Sequence, residues 1–150
     1  MHIHLEGEED GEVPIFDTCD DVRKKINECL KGPTSQTQLC REISEMMPHE
    51  SLRQRQLANF LKFKGPKAGA HSPVFYGDYV FFEKLRLSQE KKKGAKREKL
   101  EEIWGKKGGF PREGSHNIRL SLPQGDNWTL DYLGQVHIHR RDGSERIEAF

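Results

Sequence analysis

Apolar residues recur at helical spacing through the first two thirds of the chain. A first helix is indicated after Asp17 or Thr18, because either side chain can cap its start. Its apolar positions follow the spacing i, i+4, i+7 and i+8 and are occupied by Val22, Ile26, Cys29 and Leu30. The dipeptide Gly32-Pro33 cannot continue a helix, so the first helix is expected to end before it.

A second signature, Ser followed three residues later by Gln, occurs at Ser35 and again at Ser51. This pair of residues can satisfy two free backbone N–H groups at the start of a helix. Ser35 therefore predicts a second helix that breaks at Pro48, with Leu39, Ile43 and Met46 facing inward. Ser51 predicts a third helix reaching about Phe63, whose inward face carries Leu57, Phe60 and Leu61.

The fourth predicted helix carries most of the aromatic residues of the chain's middle. Ser72 followed by Pro73 predicts its start, since Ser is a common cap and Pro suits the first helical position. One face carries an aromatic stripe made of Phe75, Tyr79, Phe82 and Leu85, widened by Val74, Phe81 and Leu87. We expect this stripe to be core. A short fifth helix is predicted over residues 95–104, ending at Gly105.

Alternation of apolar and polar residues replaces the helical spacing after Gly108-Gly109. Strands are predicted around Ile118, Leu120 and Leu122, over residues 129–132 and over residues 135–139. Ile3 and Leu5 alternate in the same way, and we favour pairing of residues 2–5 with residues 136–138 over a loose arm. The fold class is therefore mainly α with a small β-sheet. It comprises a bundle of four to five helices that contains a helix-turn-helix, and a short antiparallel sheet from the C-terminal segment.

The length of 150 residues suits one domain. We divide it into an acidic N-terminal arm or strand (1–16), a helical helix-turn-helix body (17–105) and a β-rich extension (106–150). No apolar run approaches the length needed to cross a bilayer, and residues 1–6 lack the features of a signal peptide. The three cysteines form no C-x-x-C pair, which favours small buried side chains over a disulfide framework. An intracellular protein without a membrane partner is expected.

A net charge of +1 hides strong segregation of charge along the chain. Residues 1–22 carry eight acidic groups and no Lys or Arg, whereas residues 84–107 carry ten Lys or Arg. Residues 51–77 carry five Lys or Arg and no Asp or Glu. Such a distribution is typical of nucleic-acid binding. The acidic end is either a solubilising tail or a segment that folds onto the basic face and competes with DNA.

The third helix has the residue types that read duplex DNA. Arg can bond guanine bidentately, and Gln or Asn can do the same with adenine, so we expect Arg53, Gln54, Arg55 and Asn59 to face bases. Ser51 lies at the entry to this helix, and Lys62, Lys64 and Lys67 would neutralise phosphates. The alternative is an ordinary amphipathic helix with a solvated polar face. The absence of acidic residues favours the DNA interpretation.

The middle of the chain resembles the POU-specific and lambda-repressor-like helix-turn-helix class. In POU-specific domains Ser-Gln or Thr-Gln opens the second helix, and Ser35-Gln36 stands in that place with Leu39 inward. The order of residues from Arg53 to Phe60 follows that of the class's third helix. The resemblance implies that Gln54, Arg55 and Asn59 face bases and that Gln36 and Lys62 face the backbone. The chain departs from the class in lacking the usual Gly of the turn.

Three longer stretches also look like an uncharacterised domain that recurs in fungal proteins, namely residues 13–21, 77–86 and 101–105. This resemblance implies a eukaryotic, nuclear setting and supplies no activity. With the DNA interpretation, it predicts a role in transcription or chromatin.

Two other function classes remain open. The chain can be a protein-interaction or assembly domain that uses its aromatic and strand surfaces to bind itself or other proteins. The twin motifs His2-Ile3-His4 and His137-Ile138-His139 can each offer two imidazoles to a metal. The plainer interpretation is that these histidines decorate an exposed strand face. No phosphate-binding loop or nucleophile motif is present, so we expect neither a cofactor nor an enzyme.

Overall fold

The computed structural model describes residues 3–47, 51–112 and 120–150. Within these ranges the chain forms five α-helices and a three-stranded sheet, which confirms the mainly helical fold class. The elements are α1 (Cys19–Leu30), α2 (Gln36–Met46), α3 (Gln54–Lys62), α4 (Pro73–Ser88), α5 (Ala95–Trp104), β1 (Asn127–Leu130), β2 (Val136–His139) and β3 (Glu145–Glu148). Short 3₁₀ turns lie at Glu8–Asp10 and Gly105–Lys107.

Three of the predicted helix caps are confirmed. The Thr18 side chain accepts the N–H of Asp21, whose carboxylate accepts the N–H of Thr18 in return. The Ser35 hydroxyl accepts the N–H of Gln38, and the Ser72 hydroxyl accepts the N–H of Val74. Each bond satisfies a backbone donor that the first helical turn leaves free.

The predicted start of α3 at Ser51 is wrong. The helix begins at Gln54, with Arg53 as its cap residue and the Gln56 side chain accepting the N–H of Arg53 at 2.9 Å. Leu52 explains the shift, because it is buried in the core and its N–H donates to the Ser44 hydroxyl at 2.8 Å. Residues 51–53 are therefore drawn into the connection between α2 and α3.

The aromatic stripe of α4 lies in the core as predicted, apart from its margins. Phe75, Tyr79 and Phe82 are buried, whereas Leu87 is exposed. Phe110, which follows α5, packs edge-on against Phe75 and against Trp104. These contacts join α4, α5 and the segment after α5 in one apolar cluster.

The C-terminal sheet has the order β1-β2-β3 with both pairs antiparallel. The predicted strands at 129–132 and 135–139 correspond to β1 and β2, whereas β3 was not predicted. The Trp104 indole N–H donates to the Leu133 carbonyl at 3.0 Å and thereby ties the β1–β2 turn to α5. The predicted strand around Ile118 is wrong for Leu120 and Leu122, which lie outside strands; Ile118 itself lies outside the described residues.

The expected N-terminal strand is also wrong. Residues 3–5 are not in a strand, and β2 already has β1 on one edge and β3 on the other. The N-terminal segment instead packs on the helical body. Glu8 pairs with Lys84 of α4 at 2.7 Å, and the Phe110 N–H donates to the Ile15 carbonyl at 2.7 Å. The acidic arm is therefore anchored to the domain.

Candidate nucleic-acid interface

Helix α3 is amphipathic and contacts both α2 and α4. Leu57 and Phe60 face inward and are buried, and the Phe60 ring lies 6.4 Å from that of Phe75. Since these two side chains fix the rotation of the helix, its polar residues must point away from the core.

A close approach at Gly77 helps to set where α3 starts. A Cβ on Gly77 would lie 2.9 Å from Met47 Sδ, 3.0 Å from Ile43 Cγ2 and 3.5 Å from Leu52 Cδ1. A larger residue would therefore force the Met47 and Ile43 side chains to shift where α4 packs on α2 and on the connection into α3.

The C-terminal end of α3 is held by Arg23 of α1, which is 5% exposed. Its guanidinium donates to the carbonyls of Ala68, at 2.7 Å, and Phe60, at 3.4 Å, as well as to the carbonyl of Gly65. The Asp20 carboxylate pairs with Arg23 and accepts the Gly65 N–H at 3.0 Å. A cation thus caps the helix end and fastens the following loop to α1.

The outer surface of residues 51–64 carries most of the predicted DNA-contacting residues. The exposed polar side chains here are Ser51, Arg53, Gln54, Arg55, Asn59, Lys62 and Lys64, and we call this set the α3 surface; Phe63 is exposed beside them. Ser51 and Arg53 precede the helix rather than lie on it. Gln36, at the first turn of α2, is half-buried.

The cations of the α3 surface differ from those of the other basic segment in whether they are paired with carboxylates. Within the described ranges, none of its four Lys and Arg side chains forms an ion pair. The other basic segment, residues 84–107, differs. Five of its cations are bound to carboxylates of the same chain: Lys84, Arg86, Lys93, Lys96 and Arg97. Half of the ten cations of that segment are therefore paired with carboxylates within the described ranges, whereas none of the four on the α3 surface is.

Lys67 was predicted to contact phosphate, and the structure corrects this assignment. The residue is 3% exposed, its ammonium donates to the Phe150 carbonyl at 2.8 Å, and it lies 5.3 Å from the Trp104 ring centre. Burial and the nearby charge of Lys107 lower the pKa of Lys67. Lys67 is a structural residue that joins the loop after α3 to the C-terminal end.

Three of the four candidate metal-binding histidines, His4, His137 and His139, pair with carboxylates. His4 pairs with Glu9 at 2.7 Å, and His2 lies outside the described residues. His137 is held between Asp131 and Glu145, and the His139 ring lies 6.4 Å from that of His137. In the described part of the chain, no group of three or more His, Cys, Asp or Glu side chains is arranged to hold a metal ion.

The residues that position α3 were not singled out from the sequence. Arg23, Ser44 and Gly77 act through contacts with residues distant in the chain. Of these three residues, only Arg23 could have been identified from the sequence. It stands next to Val22 on the apolar face of a predicted helix, and a charged residue that is buried there needs a partner.

A family model matches residues 13–92, which is more than half of the chain. The chain belongs to that family, described as a Domain of unknown function (DUF7726). The matched segment contains α1 to α4 and stops before α5, although Leu100, Trp104 and Phe110 belong to the same core. Neither the curated proteins nor the solved structures gave a match. Within the described ranges, no helix has the length and apolar character needed to cross a membrane.

Proposed function

We propose that the chain is a nuclear DNA-binding module of helix-turn-helix type that contacts duplex DNA through the α3 surface. The observation that carries this proposal is the set of four exposed, unpaired cations on a segment without acidic residues. Phosphate contacts dominate the affinity of proteins for DNA, and they need cations that the fold has not already neutralised. The proposed role is that of a binding module rather than an enzyme.

In this proposal the helix and its flanks have separate roles. Gln54, Arg55 and Asn59 reach base edges in the major groove, where Arg pairs with guanine and Gln or Asn with adenine. Arg53 precedes the helix and lies next to them. Lys62 and Lys64 at the far end, with Gln36 on α2, contact phosphates and fix the register.

The arrangement of α2 and α3 supports the resemblance to POU-specific domains. The two helices are in contact, and seven residues separate Met46 from Gln54. That spacing suits the long connection of the POU type rather than the tight repressor turn. A function in transcription or chromatin follows from the same proposal.

The test is a fluorescence anisotropy titration of random duplex DNA at several salt concentrations. Arg53→Ala with Arg55→Ala is expected to weaken binding by about 1–3 kcal/mol for each arginine that pairs with a base, without lowering the melting temperature. The slope of log K against log salt should fall by up to about 2 if both arginines bind phosphates instead.

Arg140→Ala with Arg141→Ala is the matched control. These two arginines are exposed in the β2–β3 turn and, within the described ranges, form no ion pair. The control removes the same charge and should leave affinity nearly unchanged. Equal losses in both double variants would mean that α3 is not the reading helix.

A protein-interaction domain is the second candidate, and the C-terminal sheet favours it. Tyr132, after β1, is 57% exposed, and Ile147 on the edge strand β3 is 52% exposed. Large exposed apolar side chains near a strand edge are typical of association surfaces. Tyr132→Ser with Ile147→Thr would abolish self-association in sedimentation experiments if this sheet binds a second copy, while DNA binding would persist.

A further inference from the structure

A pocket of about 470 Å³ lies between α1, the C-terminal half of α4 and the linker into α5. No residue of the α3 surface lines it. Its apolar part is formed by Cys29, Phe82 and Leu85. The pocket thus offers an apolar contact surface on a face separate from the proposed DNA-binding surface.

The rim of the pocket is strongly basic. Its cations are Lys25, Arg86, Lys91, Lys92, Lys93 and Arg97, and its carboxylates are Asp17 and Glu28. Two further carboxylates do not line the pocket but pair with cations of its rim: Glu83 pairs with Arg86 and Arg97, and Glu101 pairs with Lys93. Six cations against four carboxylates leave a positive excess at the mouth of the pocket.

Lys91 and Lys92 supply that excess. In the described part of the chain neither forms an ion pair, whereas the other four rim cations each do. The linker is not loose at this point, because the Arg86 guanidinium donates to the Lys91 carbonyl at 2.8 Å. This bond holds the backbone that carries the two lysines beside the apolar residues of the pocket.

We propose that this pocket binds a small organic anion, with an acidic group such as a phosphate on Lys91 and Lys92 and an apolar body on Phe82 and Leu85. The volume is within the range of small-ligand sites, which usually combine an apolar lining with a few polar or charged groups. The excess positive charge selects an anion, and the apolar floor selects an organic anion over an inorganic one.

Three probes separate these contributions in chemical-shift titrations of the full chain. Phenyl phosphate carries both the charge and the apolar body, inorganic phosphate carries only the charge, and benzyl alcohol carries only the apolar body. Phenyl phosphate should give saturable shifts at Leu85, Gly94 and Lys92, with weaker or no binding of the other two. Absence of saturable shifts at the pocket, or equal binding of inorganic phosphate, would overturn the proposal.

The variant Lys91→Ser with Lys92→Ser should weaken phenyl phosphate binding by about fivefold or more, as expected for two solvent-facing charge contacts. The matched control is Lys24→Ser with Lys106→Ser, two exposed lysines outside the pocket. It should bind like the wild type. Equal weakening in both double variants would assign the effect to net charge alone and reject the site, as would unchanged binding in the Lys91/Lys92 variant. Neither double substitution should change DNA binding through α3.

Discussion

The guanidinium of Arg23 on α1 lies 4.9 Å from the centre of the Phe60 ring on α3 and donates to the carbonyl of the same residue. One side chain therefore supports both the ring that anchors α3 in the core and the backbone where that helix ends. Because Arg23 also binds the Ala68 carbonyl, the position of α3 depends on a residue of another helix.

Arg23→Met should lower the stability of the domain. The substitution keeps an apolar stem against Phe60 but removes the donor to the partly buried carbonyls of Ala68 and Gly65, at about 1–3 kcal/mol for each. A total loss of about 3 kcal/mol corresponds to a fall in melting temperature of about 6–12 °C for a chain of this length. Lys24→Met, which removes an exposed charge next to it, should melt like the wild type. Equal melting of the two variants would contradict this role.

Gly77→Ala should destabilise the domain, although alanine favours helices. The added Cβ meets Met47 and Ile43 at about 3 Å, and overpacking of this kind costs about 1–3 kcal/mol against a propensity gain of about 1 kcal/mol. Gly105→Ala is the control, since among the described residues its Cβ would have no neighbour within 4 Å and its φ is −57°. We expect thermal melting to fall for the first variant and to stay level or rise for the second.

Asp78→Asn should raise stability, and more so at higher pH. Asp78 is 0% exposed, and neither carboxylate oxygen has a hydrogen-bond partner in the described part of the chain. Burial raises the pKa of Asp78 well above its usual range. Between the pKa of the unfolded chain and that of the folded protein, Asp78 keeps its proton in the folded state and loses it on unfolding. The destabilisation that Asp78 causes is therefore absent below pH about 4 and grows as the pH rises toward the pKa of Asp78 in the folded state.

The measurement for Asp78 is the melting temperature of wild type and variant between about pH 4 and pH 8. The gain from Asp78→Asn should widen across this range. Asp10→Asn, at an exposed carboxylate, should show no such widening. A constant difference between the Asp78 variant and wild type would mean that the folded state does not hold the extra proton.

His137→Gln should reduce stability mainly at low pH. The His137 ring lies 2.7 Å from Asp131 and 2.5 Å from Glu145, and hydrogen bonds to these carboxylates raise the pKa of His137. The stabilisation is complete below the ordinary pKa of about 6.5 and is lost as pH rises through the higher folded pKa.

The melting temperatures of wild type and His137→Gln, measured from about pH 5.5 to pH 8.5, should therefore converge as the pH rises. Asp131→Asn is a useful companion. Its remaining oxygen can still accept the N–H groups of Leu133 and Gln135 that the Asp131 side chain binds. This variant should show an intermediate pH dependence. Parallel curves for all three proteins would exclude a charged His137 as the stabilising species.

The two Ser-x-x-Gln sequences show which parts of the fold local sequence can predict. Ser35 caps α2 as its local sequence predicts, since its hydroxyl accepts the Gln38 N–H at 3.1 Å. Ser51 does not cap α3, because burial of Leu52 and its bond to Ser44 draw the chain away from helical geometry. Local capping patterns decide a helix start only where no tertiary contact overrides them.

The missed strand and the misassigned lysine have similar causes. The only apolar residue of β3 is Ile147; the other three are charged, and Ile147 itself is exposed. The strand therefore lacks the alternation of apolar and polar residues that would predict it from the sequence. Lys67 is buried by contacts with Trp104 and Phe150, which are distant in sequence. The helical residues of the α3 surface, namely Gln54, Arg55, Asn59 and Lys62, were predictable, because the spacing of Leu57 and Phe60 fixes which way that helix faces.

The hydrogen bond from Phe110 to Ile15 has a consequence for biosynthesis. Ile15 is synthesised ninety-five residues before its partner Phe110, a delay of about 5–20 s at common translation rates. Late in that interval, once α4 has been synthesised, the chain still lacks Trp104 and Phe110 and cannot close α1 to α4 against them. Cotranslational folding must therefore pass through a species with exposed apolar surface, the state that molecular chaperones recognise.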